Sequence, residues 1–348
     1  MYTWRAFRLV TRPLKGRARH RVLALAVPLL IVVLVGTWVI LMVVAFGLIY
    51  AAWIGVPGAF NIPGESGESG FVEALYFSGV TLGTIGYGDF QPLHSLLRLA
   101  AVVEGFTGVA VLSMSIAYIL EVYPVLQRKT VLAVLLNEET AGQVHGLALL
   151  VRYLRGGNVE ALATLLRFVN LELLFLAEAH RRLPVLHYGH PVDVEHSFLR
   201  VLLVVQNLVA ALRYGMRGGA GRQWSNDPRV RNLEDSLFYA LYTLGSSLHL
   251  PLTAPLGTAQ FNEQAAESFD KLCNQLNKIG LPTPNRVPDA SGASTEYDQA
   301  FAGFARFHLS SDTSLISYLQ NSGYTYAEAS ETAVRHEMLV RELEIDHT

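Results

Sequence analysis

Residues 81–89 read Thr81-Leu82-Gly83-Thr84-Ile85-Gly86-Tyr87-Gly88-Asp89, and this stretch decides the fold prediction. It lies between two long apolar segments. One runs from Val22 to Trp53 without a charged residue, and the other runs from Leu99 to Leu120 with a single charge, Glu104. At about 1.5 Å per residue, either segment is long enough to cross a hydrocarbon core of about 30 Å as a helix. The order of elements predicts a membrane crossing, a re-entrant loop and a second crossing.

Composition and charge support a membrane protein. The 348 residues are 51% hydrophobic and only 16% charged, which excludes an ordinary soluble protein. Residues 1–21 carry seven arginines and lysines and no acid, and Arg128 and Lys129 follow the second apolar segment. By the positive-inside rule, both termini of this multi-pass chain are expected in the cytoplasm, with the loop between the crossings outside the cell membrane. A signal peptide and a nucleic-acid-binding arm are weaker interpretations of the basic N-terminus.

The chemistry of cation conduction explains the residue types in the motif. A dehydrated K⁺ ion needs several oxygen ligands in place of water, and rings of backbone carbonyls from four chains supply them. For successive carbonyls to point at one axis, the backbone must adopt positive φ at alternate positions. Gly86 and Gly88 permit this at little steric cost. Ile85 and Tyr87 then point away from the axis and hold the ring at its diameter.

The motif resembles the selectivity filter of the two-transmembrane, single-pore-loop potassium channels of bacterial type, and the resemblance covers about residues 22–125. It implies an all-α membrane protein that assembles as a homotetramer. The implied ion-binding residues are Thr84, Ile85, Gly86, Tyr87 and Gly88. Those implied to support the filter are Tyr76, Phe77, Val80, Thr81 and Asp89.

Three positions depart from the family pattern. Tyr76 and Phe77 stand where tryptophans are common, so a hydrogen bond from Tyr76 to Asp89 is possible while Phe77 can only pack. Val80 occupies the place where some bacterial members carry a carboxylate behind the filter. An inactivation mechanism that uses a carboxyl pair there is therefore not expected.

The second crossing contains candidate gating residues. Gly105 and Gly108 either relax the helix, with Gly108 at the family's hinge position, or permit close helix packing, which is equally common for glycine in membrane helices. Glu104 is either a functional intramembrane carboxylate or a hydrogen-bonded packing residue near Ser78 or Thr81. An apolar face at helical spacing would line the cavity and form a gate. Its members are Val109, Leu112, Ile116 and Leu120.

The domain boundaries follow from these segments. We expect a basic arm at 1–21, a pore domain at 22–125 and a cytosolic helical domain at 126–348, with Pro124 marking the end of the second crossing. Within the pore domain the first span covers about 22–53, the loop 55–70, the pore helix 71–82, the filter 84–89 and the second span about 96–123. Candidate cytosolic helices are Ala141–Arg155, Asn158–Arg182, Val194–Tyr214, Arg229–Leu248, Thr258–Ile279 and Thr325–Glu344.

Four histidines cluster within 17 residues of the cytosolic domain: His180, His187, His190 and His196. They form either a partly exposed turn between helices or a proton or metal switch, in which His187 and His190 are the candidate ligands. The single cysteine, Cys273, excludes an intrachain disulfide. No nucleophile-and-base pair or phosphate loop is present, so neither an enzyme nor a cofactor is expected, and the regulatory ligand is unknown.

The sequence favours a subunit that conducts K⁺ passively as a tetramer, with itself and membrane lipid as partners and no nucleic acid. One alternative is a potassium uptake transporter, but that class needs four pore loops in one chain and this chain has one. The other is a non-conducting, membrane-anchored helical receptor or scaffold that retains a channel-like pore domain.

Overall fold

The structure is a computed structural model, and it describes residues 16–61, 70–248, 259–286 and 295–322. These residues form helices and a single two-stranded sheet of four residues, in agreement with the prediction of an all-α protein. The chain divides into two compact units. One is Val27–Pro124, called the pore unit below; the other, called the C-terminal unit, combines the described parts of Met1–Ala26 and Val125–Thr348.

The pore unit consists of two long helices and a shorter one between them. Helix α2 spans Ala26–Ile54 and α3 spans Gly70–Leu82. Helix α4 begins at Ser95 and runs to Glu139, so its first two-thirds belong to this unit. Strand β1 (Phe60–Asn61) pairs antiparallel with β2 (Gln91–Pro92), which joins the segment after α2 to the segment after residues 84–89.

Aromatic side chains form the core of the pore unit. Phe77 of α3 lies edge-on to Tyr50 of α2 at 4.8 Å between ring centroids and to Phe60 of β1 at 5.4 Å. Ala59, Ala74 and Leu97 complete the buried cluster. Edge-to-face pairs of this kind stabilise by about 0.5–1.5 kcal/mol beyond their burial. The prediction that Phe77 only packs is confirmed.

The C-terminal unit is a helical bundle. Its first helix, α1 (Gly16–Ala24), comes from the basic arm, and Leu23 and Ala26 are fully buried against Tyr188. The described end of the arm, residues 16–21, thus belongs to this unit. The remaining helices are α5 (Leu147–Leu150, continued by a π-helix at Val151–Arg155), α6 (Val159–Arg182), α7 (Phe198–Val209, continued by a π-helix at Ala210–Gly215), α8 (Gly218–Ser225), α9 (Pro228–Leu248), α10 (Ala259–Lys278) and α11 (Glu296–Ser322). Short 3-10 turns at Pro184–Tyr188 and Val194–His196 connect α6 to α7.

Several boundaries differ from the prediction. Helix α4 continues through Pro124 for another 15 residues, so the proline does not end it. The glycine-rich stretch 215–228 contains helix α8, and α11 was not predicted. The predicted helix Thr325–Glu344 lies outside the described residues, as do the acidic loop residues Glu65 and Glu68.

Among the described residues, three helical segments have the length and apolar composition to cross a membrane: Ala18–Ile54, Ser95–Glu139 and Phe198–Gly215. The most apolar window of the third is 83% buried, against 0% and 11% for the first two. A segment that protein already covers has no apolar surface left for lipid. The structure therefore agrees with two crossings and a buried third helix.

Candidate functional site

The candidate site is the non-helical stretch that follows α3. Thr84, Gly86 and Gly88 have φ angles of 52°, 62° and 78°. The left-handed conformation thus occurs at every second residue. This alternation is the geometry that the carbonyl ring requires, and the prediction of positive φ at Gly86 and Gly88 is confirmed. Thr84 adopts it without being a glycine, which costs roughly 1–2 kcal/mol.

Hydrogen bonds fix the inner end of this stretch to the pore helix. The amide of Ile85 donates to the Val80 carbonyl at 2.9 Å, and the amide of Thr84 donates to the Thr81 carbonyl at 3.0 Å. The helix-terminal carbonyls are therefore satisfied within the chain. They determine where residues 84–88 begin, and the support of a filter by Val80 and Thr81 stays a prediction.

Side chains hold the outer end. The Tyr76 hydroxyl donates to Asp89 at 2.7 Å, so the hydrogen bond that the sequence allowed is present. It lowers the pKa of the Asp89 carboxyl below its usual value. The Gln91 side-chain amide donates to the Gly88 carbonyl at 2.9 Å. Sequence reasoning missed Gln91, whose only signal was its position just after the motif.

Ile85 and Tyr87 are 57% and 69% exposed in the single chain. Gly86 likewise has no atom within 4 Å of the position where a Cβ would stand. The outer surface of residues 84–88 is therefore free to contact other chains.

Glu104 is fully buried in the second span. Its carboxylate accepts a hydrogen bond from the Tyr50 hydroxyl at 2.7 Å and another from the Ser78 hydroxyl. It therefore links α2, α3 and α4. The Ser78 contact agrees with the interpretation of Glu104 as a hydrogen-bonded packing residue. Tyr50 was not foreseen as its partner, although a tyrosine hydroxyl at membrane depth needs one.

The two glycines of the second span differ in their surroundings. A Cβ on Gly108 would lie 2.0 Å from the Leu82 carbonyl oxygen, whereas the nearest such contact for Gly105 is 3.9 Å. Gly108 thus allows α4 to approach the C-terminus of the pore helix. Of the two interpretations, the structure supports close packing at Gly108.

The predicted gate residues share one property in the single chain. Each is at least half exposed: Val109, Leu112, Ile116 and Leu120. In contrast, Val122 and Val125 are nearly fully buried. The apolar face therefore remains available to line a cavity.

Three histidines of the cluster are buried, contrary to the expectation of a partly exposed turn, whereas His196 is partly exposed. His180, His187 and His190 are at most 8% exposed. His190 is hydrogen-bonded to His20 of α1 at 2.7 Å, and the His180 ring packs on Phe198. Within the described part of the chain, no three His, Cys, Asp or Glu side chains are placed to hold a metal ion. A metal at His187 and His190 remains a prediction without geometric support.

Residues 29–123 match the family model described as "Ion channel". This segment carries an ion-channel domain, and the expectation of a channel-type pore domain is confirmed. The matched range includes both long apolar helices, the pore helix and the motif, and leaves the C-terminal bundle outside.

The chain is also 24% identical over 197 residues to the "Uncharacterized membrane protein YdjJ" of Bacillus subtilis (strain 168). The aligned part is 56% of this chain and spans 56% of the length of that relative. The alignment is longer than the segment that precedes Val125, so it includes part of the C-terminal unit. No solved structure matches the chain.

Proposed function

We propose that four copies of this chain form a potassium-selective channel in the cell membrane, with both termini in the cytoplasm. The alternating left-handed backbone at Thr84, Gly86 and Gly88 is the observation that carries the proposal. In such a backbone, successive carbonyls can point to one side and replace the water around a dehydrated ion. The carbonyls of residues 84–87 and the Thr84 hydroxyl are the ligands.

The tetramer is inferred because a single chain cannot surround an ion with carbonyls. One chain contributes one strand of carbonyls, and four strands around an axis are needed to surround an ion. Closed cyclic symmetry is the usual way for identical chains to do so. The exposure of Ile85 and Tyr87 supports packing between chains at this level.

Selectivity is tested by reversal potential. The purified protein is reconstituted in planar bilayers with K⁺ on one side and Na⁺ on the other. We expect a reversal near the K⁺ equilibrium potential. Equal permeability for the two ions would contradict the filter assignment, and an absence of current from tetramers that are shown to be intact would favour the non-conducting scaffold.

A further inference from the structure

A buried lysine in the C-terminal unit has no matching negative charge. Lys129 is 4% exposed, and its Nζ donates to the Gly189 carbonyl oxygen at 2.9 Å. Across residues 16–61, 70–248, 259–286 and 295–322, no carboxylate forms an ion pair with it. Burial lowers the pKa of Lys129 to about 8, so most copies are still protonated at pH 7. A buried charge is costly unless a counter-charge compensates it.

His187 faces the same space with unused hydrogen-bonding capacity. The residue is 8% exposed, and neither ring nitrogen has a hydrogen-bond partner. Burial and the neighbouring Lys129 charge lower the pKa of His187 to about 4. The ring is therefore neutral at pH 7, and one of its nitrogens carries a proton that it can donate.

A small cavity lies between these groups. Its volume is about 20 Å³, and its lining includes Lys129, His187, Ser197 and Tyr318. The Ser197 oxygen accepts from the Arg200 amide at 3.3 Å, which leaves the hydroxyl proton free to donate. A space of this size holds one guest the size of a water molecule.

We propose that this cavity binds a small monovalent anion of the size of chloride, held by the Lys129 ammonium and by hydrogen bonds from His187, Ser197 and Tyr318. The anion supplies the counter-charge that the described residues do not. The side chains of Lys129, His187, Ser197 and Tyr318 can each donate a proton, and this suits an anion. A metal cation would be repelled by Lys129, and phosphate or sulfate is too large for the space.

Gly189 supports the site geometrically. A Cβ at this position would stand 3.0 Å from the Lys129 Nζ and 2.7 Å from Leu126 Cδ2. The absence of a side chain therefore lets the lysine reach the Gly189 carbonyl. This contact occupies one of the three ammonium protons, and the other two remain for the anion.

The test compares melting temperatures of the full-length protein at pH 7 in sodium chloride and in sodium gluconate of equal ionic strength. Gluconate is too large to enter. With chloride at about 100 times its Kd, we expect the wild type to melt about 5 °C higher in chloride. Lys129→Met keeps the alkyl chain without the charge and should lose the difference. Lys271→Met, at an exposed lysine of α10, should retain it.

A second measurement does not depend on any variant. Crystals of the wild type grown in bromide should give an anomalous peak within hydrogen-bond distance of Lys129 Nζ. The proposal is wrong if this peak is absent, because the cavity then holds only water. It is also wrong if the chloride effect persists in Lys129→Met, since the anion would then act elsewhere.

Discussion

At the scale of single residues, Gly86 is the position where backbone conformation and conduction are most directly linked. Its φ is 62°, and its surroundings in the single chain are open. The obstacle to Gly86→Ala is therefore the left-handed conformation, at roughly 1–2 kcal/mol in each of four chains. We expect the tetramer to assemble and K⁺ current to be lost in bilayer recordings.

Gly36→Ala is the matched control. Gly36 lies within helix α2, also has no atom within 4 Å of a built Cβ, and has no positive φ. Its alanine variant should conduct like the wild type. Normal current from Gly86→Ala would show that the carbonyl geometry does not require a glycine there.

The sequence predicted the backbone conformation of Gly86 and Gly88 at this scale because its determinants are local. A glycine that needs positive φ is visible in the string itself, and so is the Tyr76 to Asp89 pairing once residues 81–89 are aligned with a filter. Partners distant along the chain were not visible. Tyr50 lies 54 positions before Glu104, and only the packing of α2 against α4 shows that they meet.

At the scale of elements, the approach of α4 to the pore helix depends on Gly108. In Gly108→Ala the new methyl group would overlap the Leu82 carbonyl, whose backbone cannot rotate away. We expect a loss of about 1–3 kcal/mol of stability, the usual cost of overpacking. Thermal unfolding in nanodiscs measures it.

Gly105→Ala serves as the control one turn earlier. Its nearest contact would be 3.9 Å, an ordinary van der Waals distance, so unfolding should be unchanged. If Gly108→Ala unfolds like the wild type but alters open probability, the hinge interpretation of Gly108 is correct and the packing interpretation is wrong.

The inner part of α4 supplies a gating prediction. Leu120 is 67% exposed in the single chain and follows Leu112 and Ile116 on one face. If this face closes the pore by dewetting, Leu120→Asn hydrates the constriction and raises the resting open probability. Leu120→Met keeps the face apolar and should leave it unchanged. Single-channel recording distinguishes the two, and an unchanged open probability in Leu120→Asn would place the gate at the filter.

Helix ends were predicted less well than helix positions, for identifiable reasons. Proline disfavours a helix interior by about 3 kcal/mol, yet α4 continues past Pro124 because Leu132 and Leu136 of its next turns are buried in the C-terminal unit. Packing also explains α8, which the sequence did not predict and in which Trp224 is 2% exposed. Tertiary burial outweighed local propensity in both cases.

At the scale of the whole molecule, the C-terminal unit should lose stability in acid. The pKa of His187 is about 4 in the folded protein and about 6.5 when unfolded, so the unfolded chain binds more protons between these values. Stability therefore falls as pH decreases through this range, by about 3 kcal/mol for this group. Protonation of His187 would place its positive charge beside that of Lys129, and the His180 ring lies 5.2 Å from the His187 ring.

Chemical denaturation from pH 7 to pH 4 measures this slope. His187→Leu should give a shallower dependence, whereas His94→Gln, at an exposed histidine of the pore unit, should not change it. A His187→Leu profile parallel to that of the wild type would assign the acid sensitivity to other groups.

The sequence also did not predict how the arm joins the C-terminal unit. Residues 1–21 were interpreted as a basic flank because their charge pattern is local, whereas His20 meets His190 across 170 positions. A contact that depends on the three-dimensional path of the chain leaves no periodic signal. The sequence likewise favoured a partly exposed turn for the buried histidines, because it does not show which residues cover them.

The two hydrogen-bond acceptors of the Ser78 hydroxyl become available at different times during synthesis of the chain. It lies 3.0 Å from the Val43 carbonyl and also contacts the Glu104 carboxylate, but it has only one proton to donate. During translation Val43 and Ser78 leave the ribosome before Glu104, so the first partner available to the hydroxyl is the Val43 carbonyl. The nascent hairpin of α2 and α3 can therefore satisfy this hydroxyl before α4 is made. Once the second span is in place, the Ser78 hydroxyl can donate its hydrogen bond to the Glu104 carboxylate as well, which adds α4 to the contact between α2 and α3.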